Sequence, residues 1–132
     1  MSGRLVETIT PRFCETDGLQ HINNTVIPVW CEATREPIFE IFNPGLKMES
    51  WNLIVAGFEV KLMAPSFYGA EVRVETHISR VGNASFEVTQ DLYQGDRQFA
   101  QQVTQMVHYD YQANKSCPIP EAIRAKLAEL TA

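Results

Sequence analysis

The sequence predicts an α+β fold in which an antiparallel sheet of about five strands wraps round one long central helix and a short helix closes the chain. Three observations carry this expectation. A single amphipathic stretch of helical length follows one short β-type run. Four extended runs then succeed one another with only turn residues between them. No alternation of strands and helices, which would build a parallel sheet, occurs anywhere. At 132 residues the chain is read as one domain over positions 1–132, large enough to hide roughly two thirds of its unfolded surface.

The chain opens with a β-type run from Leu5 to Phe13 that carries Val6, Thr8, Ile9 and Thr10, and Glu15 to Asn24 is polar and turn-rich, so a strand runs into a loop. From about Thr25 to Phe42 the apolar residues Val26, Trp30, Ala33, Ile38 and Ile41 recur at steps of three to five, with Glu32, Arg35, Glu36 and Glu40 between them. That is the pattern of a helix with one buried stripe. Pro28 is tolerated only in the first turn, which sets the start near Asn24 or Thr25. Pro37 lies inside and costs about 3 kcal/mol through its missing donor and its ring, so the second half is expected to kink. Asn43-Pro44-Gly45 ends the helix. From Trp51 to Tyr111 the chain is extended, in the runs Leu53 to Met63, Ala70 to Val81, Ala84 to Tyr93 and Arg97 to Tyr111. The second run alternates, with Val72, Val74, Thr76 and Ile78 on one face and Glu71, Arg73, Glu75 and His77 on the other. Val81-Gly82-Asn83 and Gln94-Gly95-Asp96 are turns that join the last three runs into an antiparallel meander. Pro118 and Pro120 stop the sheet, and Glu121 to Leu130 forms the short last helix.

A formal net charge of −5 leaves no overall positive field to collect phosphate backbones, which excludes nucleic acid as the expected partner. A nucleotide-bearing small molecule is still compatible, because a helix N-terminus and a few cations suffice to hold phosphates. The three cysteines, Cys14, Cys31 and Cys117, form no C-x-x-C pair, and their odd number suits reduced thiols in a cytoplasm. Met1 to Glu7 has no apolar core of signal-peptide length and no stretch has the length of a membrane span, so a cytoplasmic protein without a membrane partner is expected. His21, His77 and His108 lie on separate elements without ligand spacing, and neither a metal site nor a cofactor is read.

The segment densest in chemistry is Arg12-Phe13-Cys14-Glu15-Thr16-Asp17-Gly18-Leu19-Gln20-His21-Ile22-Asn23-Asn24, which joins the first strand to the helix. It resembles the motif of the hydroxybenzoyl-CoA thioesterase family, acyl-CoA thioesterases of hot-dog fold, in which a strand ending in Thr-Asp leads through His-x-Asn-Asn into the central helix. The resemblance covers nearly the whole chain, since Ala64-Pro65-Ser66-Phe67-Tyr68-Gly69, Val81-Gly82-Asn83-Ala84-Ser85-Phe86 and Pro118-Ile119-Pro120 fall where such proteins have similar punctuation. It implies hydrolysis of an acyl-CoA thioester to a free carboxylic acid and coenzyme A. An acyl-carrier-protein thioester, with the same pantetheine arm, is the other substrate it allows. It also implies a homodimer or homotetramer with its sites between protomers.

Carried over residue by residue, Asp17 matches the catalytic carboxylate, which either attacks the thioester carbonyl or activates the water that does; an ionised carboxylate suits both roles. Backbone N–H groups at the helix start, around Asn24 and Thr25, are the implied donors to the oxyanion. His21, Asn23 and Thr25 are implied to position the substrate. Ser66 and Tyr68 are implied contacts on the segment Pro65 to Gly69, which is expected to approach the Asp17 loop of a partner. Each has a plainer reading: Asp17-Gly18 as a turn pair, the asparagines as helix caps, His21 as a loop-holding side chain, and Pro65 to Gly69 as a turn. Glu32 is read as a solvated helix residue and Ser85 as a strand residue, because no nucleophile elbow surrounds it.

The sequence departs from the family in two places. Ile27 stands where an aromatic residue is usual, beside Pro28, and Ala70 follows Gly69 where an acidic residue is usual. These departures keep two other functions open: a non-catalytic acyl-thioester binding protein, and the dehydratase branch of the fold, for which Asp17 and His21 supply the acid and the histidine. Trp30, Phe39, Phe58 and Phe67 suit either an acyl pocket or ordinary core.

Overall fold

The computed structural model describes residues 3–131. Strand β1 (Leu5–Ile9) is followed by helices α1 (Ile27–Ala33) and α2 (Glu36–Phe42). Strands β2 (Leu53–Leu62), β3 (Val72–Val81), β4 (Ser85–Gln94), β5 (Arg97–Asp110) and β6 (Lys115–Ser116) come next, and helix α3 (Glu121–Ala128) closes the chain. The sheet runs β1-β3-β4-β5-β2, antiparallel throughout, with the short β6 added to the end of β5. It curls round the helices as the hot-dog arrangement requires. The meander of β3, β4 and β5 follows its turns, and Val72, Val74, Thr76 and Ile78 are buried as their alternation demands. Strand β2 pairs not with its sequence neighbour but with β5, from Leu53 opposite His108 to Leu62 opposite Ala100. The connection 63–71 therefore crosses one end of the sheet to reach β3, and this crossing shapes the candidate site.

The first strand is shorter than the run Leu5 to Phe13: Pro11 cannot donate to a ladder, and Phe13–Glu15 is a single 3₁₀ turn. The continuous helix expected over Thr25 to Phe42 is interrupted at Thr34 and Arg35. Pro37 acts on the carbonyl four residues back, that of Ala33, and α1 ends there, one turn before the proline itself. The two linking residues keep right-handed backbone angles (φ, ψ of −86°, 0° and −87°, −2°), so the path continues into α2. Pro28 sits in the first turn of α1. Its missing donor is replaced by the Ile27 N–H, which bonds the Asn24 carbonyl in a 3₁₀ turn over Asn24–Val26. The buried stripe is Ile27, Trp30, Cys31, Ile38 and Phe42, whereas Ala33 is exposed.

The interruption has a counterpart in the core. The Arg35 N–H bonds the Glu32 carbonyl in place of that of Cys31, which accepts instead from the Gln90 amide of β4 at 3.0 Å and from the Thr34 hydroxyl at 3.3 Å. The same amide donates to the Thr34 and Thr76 hydroxyls, at 2.9 and 3.1 Å. Arg35, only 3% exposed, donates to Gln90 Oε1 and Thr104 Oγ1, and among the described residues no carboxylate pairs with it. This polar layer separates two apolar clusters, one built on Ile27, Trp30, Leu92 and Phe99 and the other on Ile38, Phe42, Phe86 and Met106. Gln90→Leu is expected to destabilise the fold by about 2–4 kcal/mol, because it takes one of two donors from the Cys31 carbonyl and one of two acceptors from the buried Arg35 guanidinium. Urea unfolding checks this as a lowered midpoint at unchanged slope.

Candidate functional site

Glu15 sets the geometry of the loop between β1 and α1. Its carboxylate, 7% exposed, accepts from the Arg12 N–H at 2.7 Å, from the Arg12 guanidinium at 3.2 Å and from the Trp30 indole N–H at 3.1 Å. Burial by itself raises its pKa, but these donors outweigh burial and hold Glu15 below the usual carboxylate range. Its main-chain carbonyl accepts from the Asn23 N–H at 2.8 Å, so one residue ties the loop to the helix at both levels.

Between these anchors the chain makes a small hairpin. Thr16 bridges Ile22, and the Asp17 N–H bonds the His21 carbonyl at 2.9 Å. Gly18 and Gln20 take positive φ of 90° and 68°, which Gly18 adopts without strain. Asp17 Oδ1 accepts from the Leu19 N–H at 2.9 Å, the turn-forming role expected of an Asp-Gly pair. Among the described residues nothing donates to its other oxygen. Asn23 caps the following 3₁₀ turn, accepting from both the Thr25 N–H at 3.0 Å and the Thr25 hydroxyl at 2.8 Å. The Thr25 N–H is therefore occupied, while no described residue accepts from the N–H of Asn24.

The crossing connection holds this hairpin from outside. The Ile22 N–H donates to the Ser66 carbonyl at 2.8 Å and the Tyr68 N–H to the Gln20 carbonyl at 2.9 Å, while the His21 ring meets Phe67 edge to face at 5.1 Å. Pro65 to Gly69 thus pairs with the Asp17 loop of its own chain. The reason is the sheet order, which carries 63–71 past that loop. The segment is fixed in turn by the β4–β5 turn. The Gln94 amide group accepts from the Phe67 N–H and donates to the Phe67 and Ala70 carbonyls, and Arg97 donates to the Pro65 carbonyl at 2.7 Å.

Asp17, His21, Asn23, Asn24 and Ser66 line one cleft of about 450 Å³, walled by Ile22, Ile27, Leu62, Ala64, Pro65 and Phe99. Thr25 and Tyr68 do not line it; Tyr68 packs edge-on against Phe13 at 5.9 Å. Glu32 is exposed, Trp30 is core, and Phe58 and Phe67 stay half-exposed. Sequence reasoning missed Glu15, Gln94 and Arg97. The spacing of Arg12 and Glu15 hints at a local link, but nothing in sequence marks the other two. Among the described residues no group of His, Cys, Asp or Glu is arranged to hold a metal ion, and no helix is long and apolar enough to cross a membrane.

The family model described as the thioesterase-like superfamily matches residues 11–127. A predicted thioesterase from Bacillus stearothermophilus is 37% identical, with a TM-score of 0.95 over 98% of this chain and 97% of that one. A thioesterase from Thermus thermophilus, solved in complex with coenzyme A and Zn, is 26% identical, with a TM-score of 0.82 over 92% and 95% of the two chains. A 1,4-dihydroxy-2-naphthoyl-CoA thioesterase from Synechocystis, 16% identical with a TM-score of 0.80 over 96% and 97%, shares the fold. No curated protein matches the chain.

Proposed function

Since this chain belongs to the thioesterase-like superfamily, we propose that it hydrolyses an acyl-CoA thioester to the free acid and coenzyme A, with Asp17 as the reacting carboxylate. The observation that carries this reading is that Asp17 and Asn24 line one cleft, and that among the described residues one Asp17 oxygen has no donor and the Asn24 N–H no acceptor. A thioester needs both at once. A nucleophile or base approaches the carbonyl carbon while a donor receives the charge that develops on its oxygen. Asn24 lies at the start of the 3₁₀ turn that leads into α1, where main-chain N–H groups lack helical acceptors.

Two routes fit the geometry. In one, Asp17 attacks the carbonyl carbon, the C–S bond breaks and the thiolate leaves with a proton from solvent; water then opens the acyl anhydride. In the other, Asp17 takes a proton from water, the hydroxide attacks, and the same C–S bond breaks. His21 and Ser66 line the cleft as positioning groups. The coenzyme A held by the Thermus relative supports a CoA thioester over other thioesters. Strand β2 is one of the two edges of the sheet and, with Leu62 lining the cleft, leaves Phe58, Leu62 and Met63 about half exposed. This exposed edge supports a homodimer that covers it.

The test is release of free thiol from aromatic, short-chain and medium-chain acyl-CoA thioesters, with the matching acyl-pantetheines alongside. Saturable hydrolysis of one acyl class is expected. Absence of turnover across the whole set, together with tight binding of an acyl-CoA, establishes the binding-protein alternative instead.

A further inference from the structure

A second cleft, of about 330 Å³, opens between the helical path and β2, and it shares no lining residue with the cleft of Asp17. Val29, Val55 and Phe58, each about half exposed, form its walls, and the exposed Glu32 lines it from the helix. Its floor is Arg35 and Gln102, only 3% and 1% exposed. These two side chains hold polar atoms that the protein leaves without partners. Arg35 Nη1 is used, donating to Gln90 Oε1 at 3.2 Å and to Thr104 Oγ1 at 3.3 Å. Arg35 Nε is buried without an acceptor, and no described residue accepts from Nη2. The Nε–H and the neighbouring Nη2–H leave the planar guanidinium side by side, and that edge is the fork that takes both oxygens of one carboxylate.

The charge is unmatched as well. Among the described residues no carboxylate lies at ion-pair distance from Arg35, and burial pushes the Cys31 thiol up to about 12, which leaves it neutral. Burial lowers the Arg35 pKa against the opposing pull of Cys31 and Glu32, yet a guanidinium keeps its proton in a protein. A buried cation without an anion is a costly arrangement that an anionic ligand relieves. Gln102 points to the same chemistry. Its Oε1 is buried without a donor, while its Nε2 lies 3.1 Å from Thr104 Oγ1, an oxygen that already accepts from Arg35. A half-turn of the amide lets the Thr104 hydroxyl donate to Gln102 Oε1 and puts Nε2 where the orphaned oxygen stood. The floor then offers N–H groups from both Arg35 and Gln102.

We propose that this cleft is a second binding site, for a monocarboxylate with a compact apolar body, whose carboxylate meets the Arg35 fork and the Gln102 amide. The apolar body lies between Val29, Val55 and Phe58, which supply contact area but no polar group. Glu32 sets the charge of the ligand at one, because a second carboxylate on the outer end would meet its own. The site holds whether or not the chain hydrolyses a thioester, since Asp17 takes no part in it.

The test is titration of the full chain with benzoate, followed in NMR spectra that include the arginine Nε–H signals, with benzamide and phthalate as controls. Benzoate is expected to bind saturably and to shift the Arg35 Nε–H. Benzamide, of the same shape without the charge, should bind about tenfold more weakly or worse. Phthalate should also bind more weakly than benzoate. Glu32→Gln, at an exposed position, should tighten benzoate about threefold and phthalate by more, and leave benzamide unmoved. Phe58→Ala should weaken benzoate about fivefold through the lost wall. Arg35→Lys keeps the charge but not the fork and should cost about tenfold. If Arg35→Lys does not fold, the wild-type spectra and the two exposed variants decide. No saturable binding of benzoate, or equal binding of benzamide, overturns the proposal. So does a benzoate affinity that neither Glu32→Gln nor Phe58→Ala moves, which places benzoate elsewhere. Self-association that is lost in Glu32→Gln, with benzoate unbound, also overturns it and gives the Arg35 fork to Glu32 of a second copy.

Discussion

Asp17→Asn is expected to lower kcat for thioester hydrolysis by between about 10²- and 10⁴-fold while leaving the unfolding midpoint unchanged. The substitution separates chemistry from structure, because an asparagine Oδ1 can still accept the Leu19 N–H that closes the turn. What is lost is the second oxygen, to which no described residue donates. An amide there neither attacks a carbonyl carbon nor takes a proton from water at neutral pH. KM should move little if binding rests on the cleft walls. Single turnover in ¹⁸O-labelled water, with the quenched enzyme weighed for a covalently held acyl group, then separates the two routes. An acyl group on Asp17, or label in its side chain, marks attack by the carboxylate; label only in the acid product with no acyl-enzyme marks general-base catalysis. A variant with wild-type kcat would reduce Asp17 to a turn residue.

Glu15→Ala is expected to destabilise the protein by about 2–4 kcal/mol and to depress hydrolysis as well. The change leaves the buried Trp30 indole N–H and the Arg12 N–H without their shared acceptor, and it releases the loop that carries Asp17. The pH dependence has a definite sign. The folded state holds Glu15 below its ordinary value of 4.5, so the unfolded chain binds this proton more readily. The stabilisation is present in full above about pH 4.5 and is lost as pH falls through the lower, folded value. Urea melts between pH 3 and 7 should show wild type losing stability in that acid window, with a flatter curve for Glu15→Ala. Parallel curves would assign the acid sensitivity to other carboxylates.

What could be read from the chain follows from how far local physics reaches. Alternation in Val72, Val74, Thr76 and Ile78 identifies a strand and its buried face, and Gly82 and Gly95 identify the turns that make the meander. The polar run from Thr16 to Asn24 before an amphipathic helix places a carboxylate at a helix start, which is most of the proposed site. Pro37 announces a disturbance in the helix. Its position depends on the carbonyl four residues earlier, so the interruption fell at Thr34 and Arg35 and exposed Ala33.

Other features depend on pairings between distant residues. Nothing in the sequence of β2 says which strand lies beside it, and only the sheet order, with β2 beyond β5, carries 63–71 across the Asp17 loop of the same chain. Glu15 looks like any loop acid until Trp30 is folded over it. Gln90 looks like an outward strand residue until the Cys31 carbonyl, released where the Arg35 N–H turns to Glu32, takes its amide. The sequence by itself determined the elements and the residue types at the cleft, because periodicity, turns and caps act within a few positions. Tertiary structure alone decided which of them meet, because a buried donor or acceptor takes its partner from whatever part of the chain the packing brings to it.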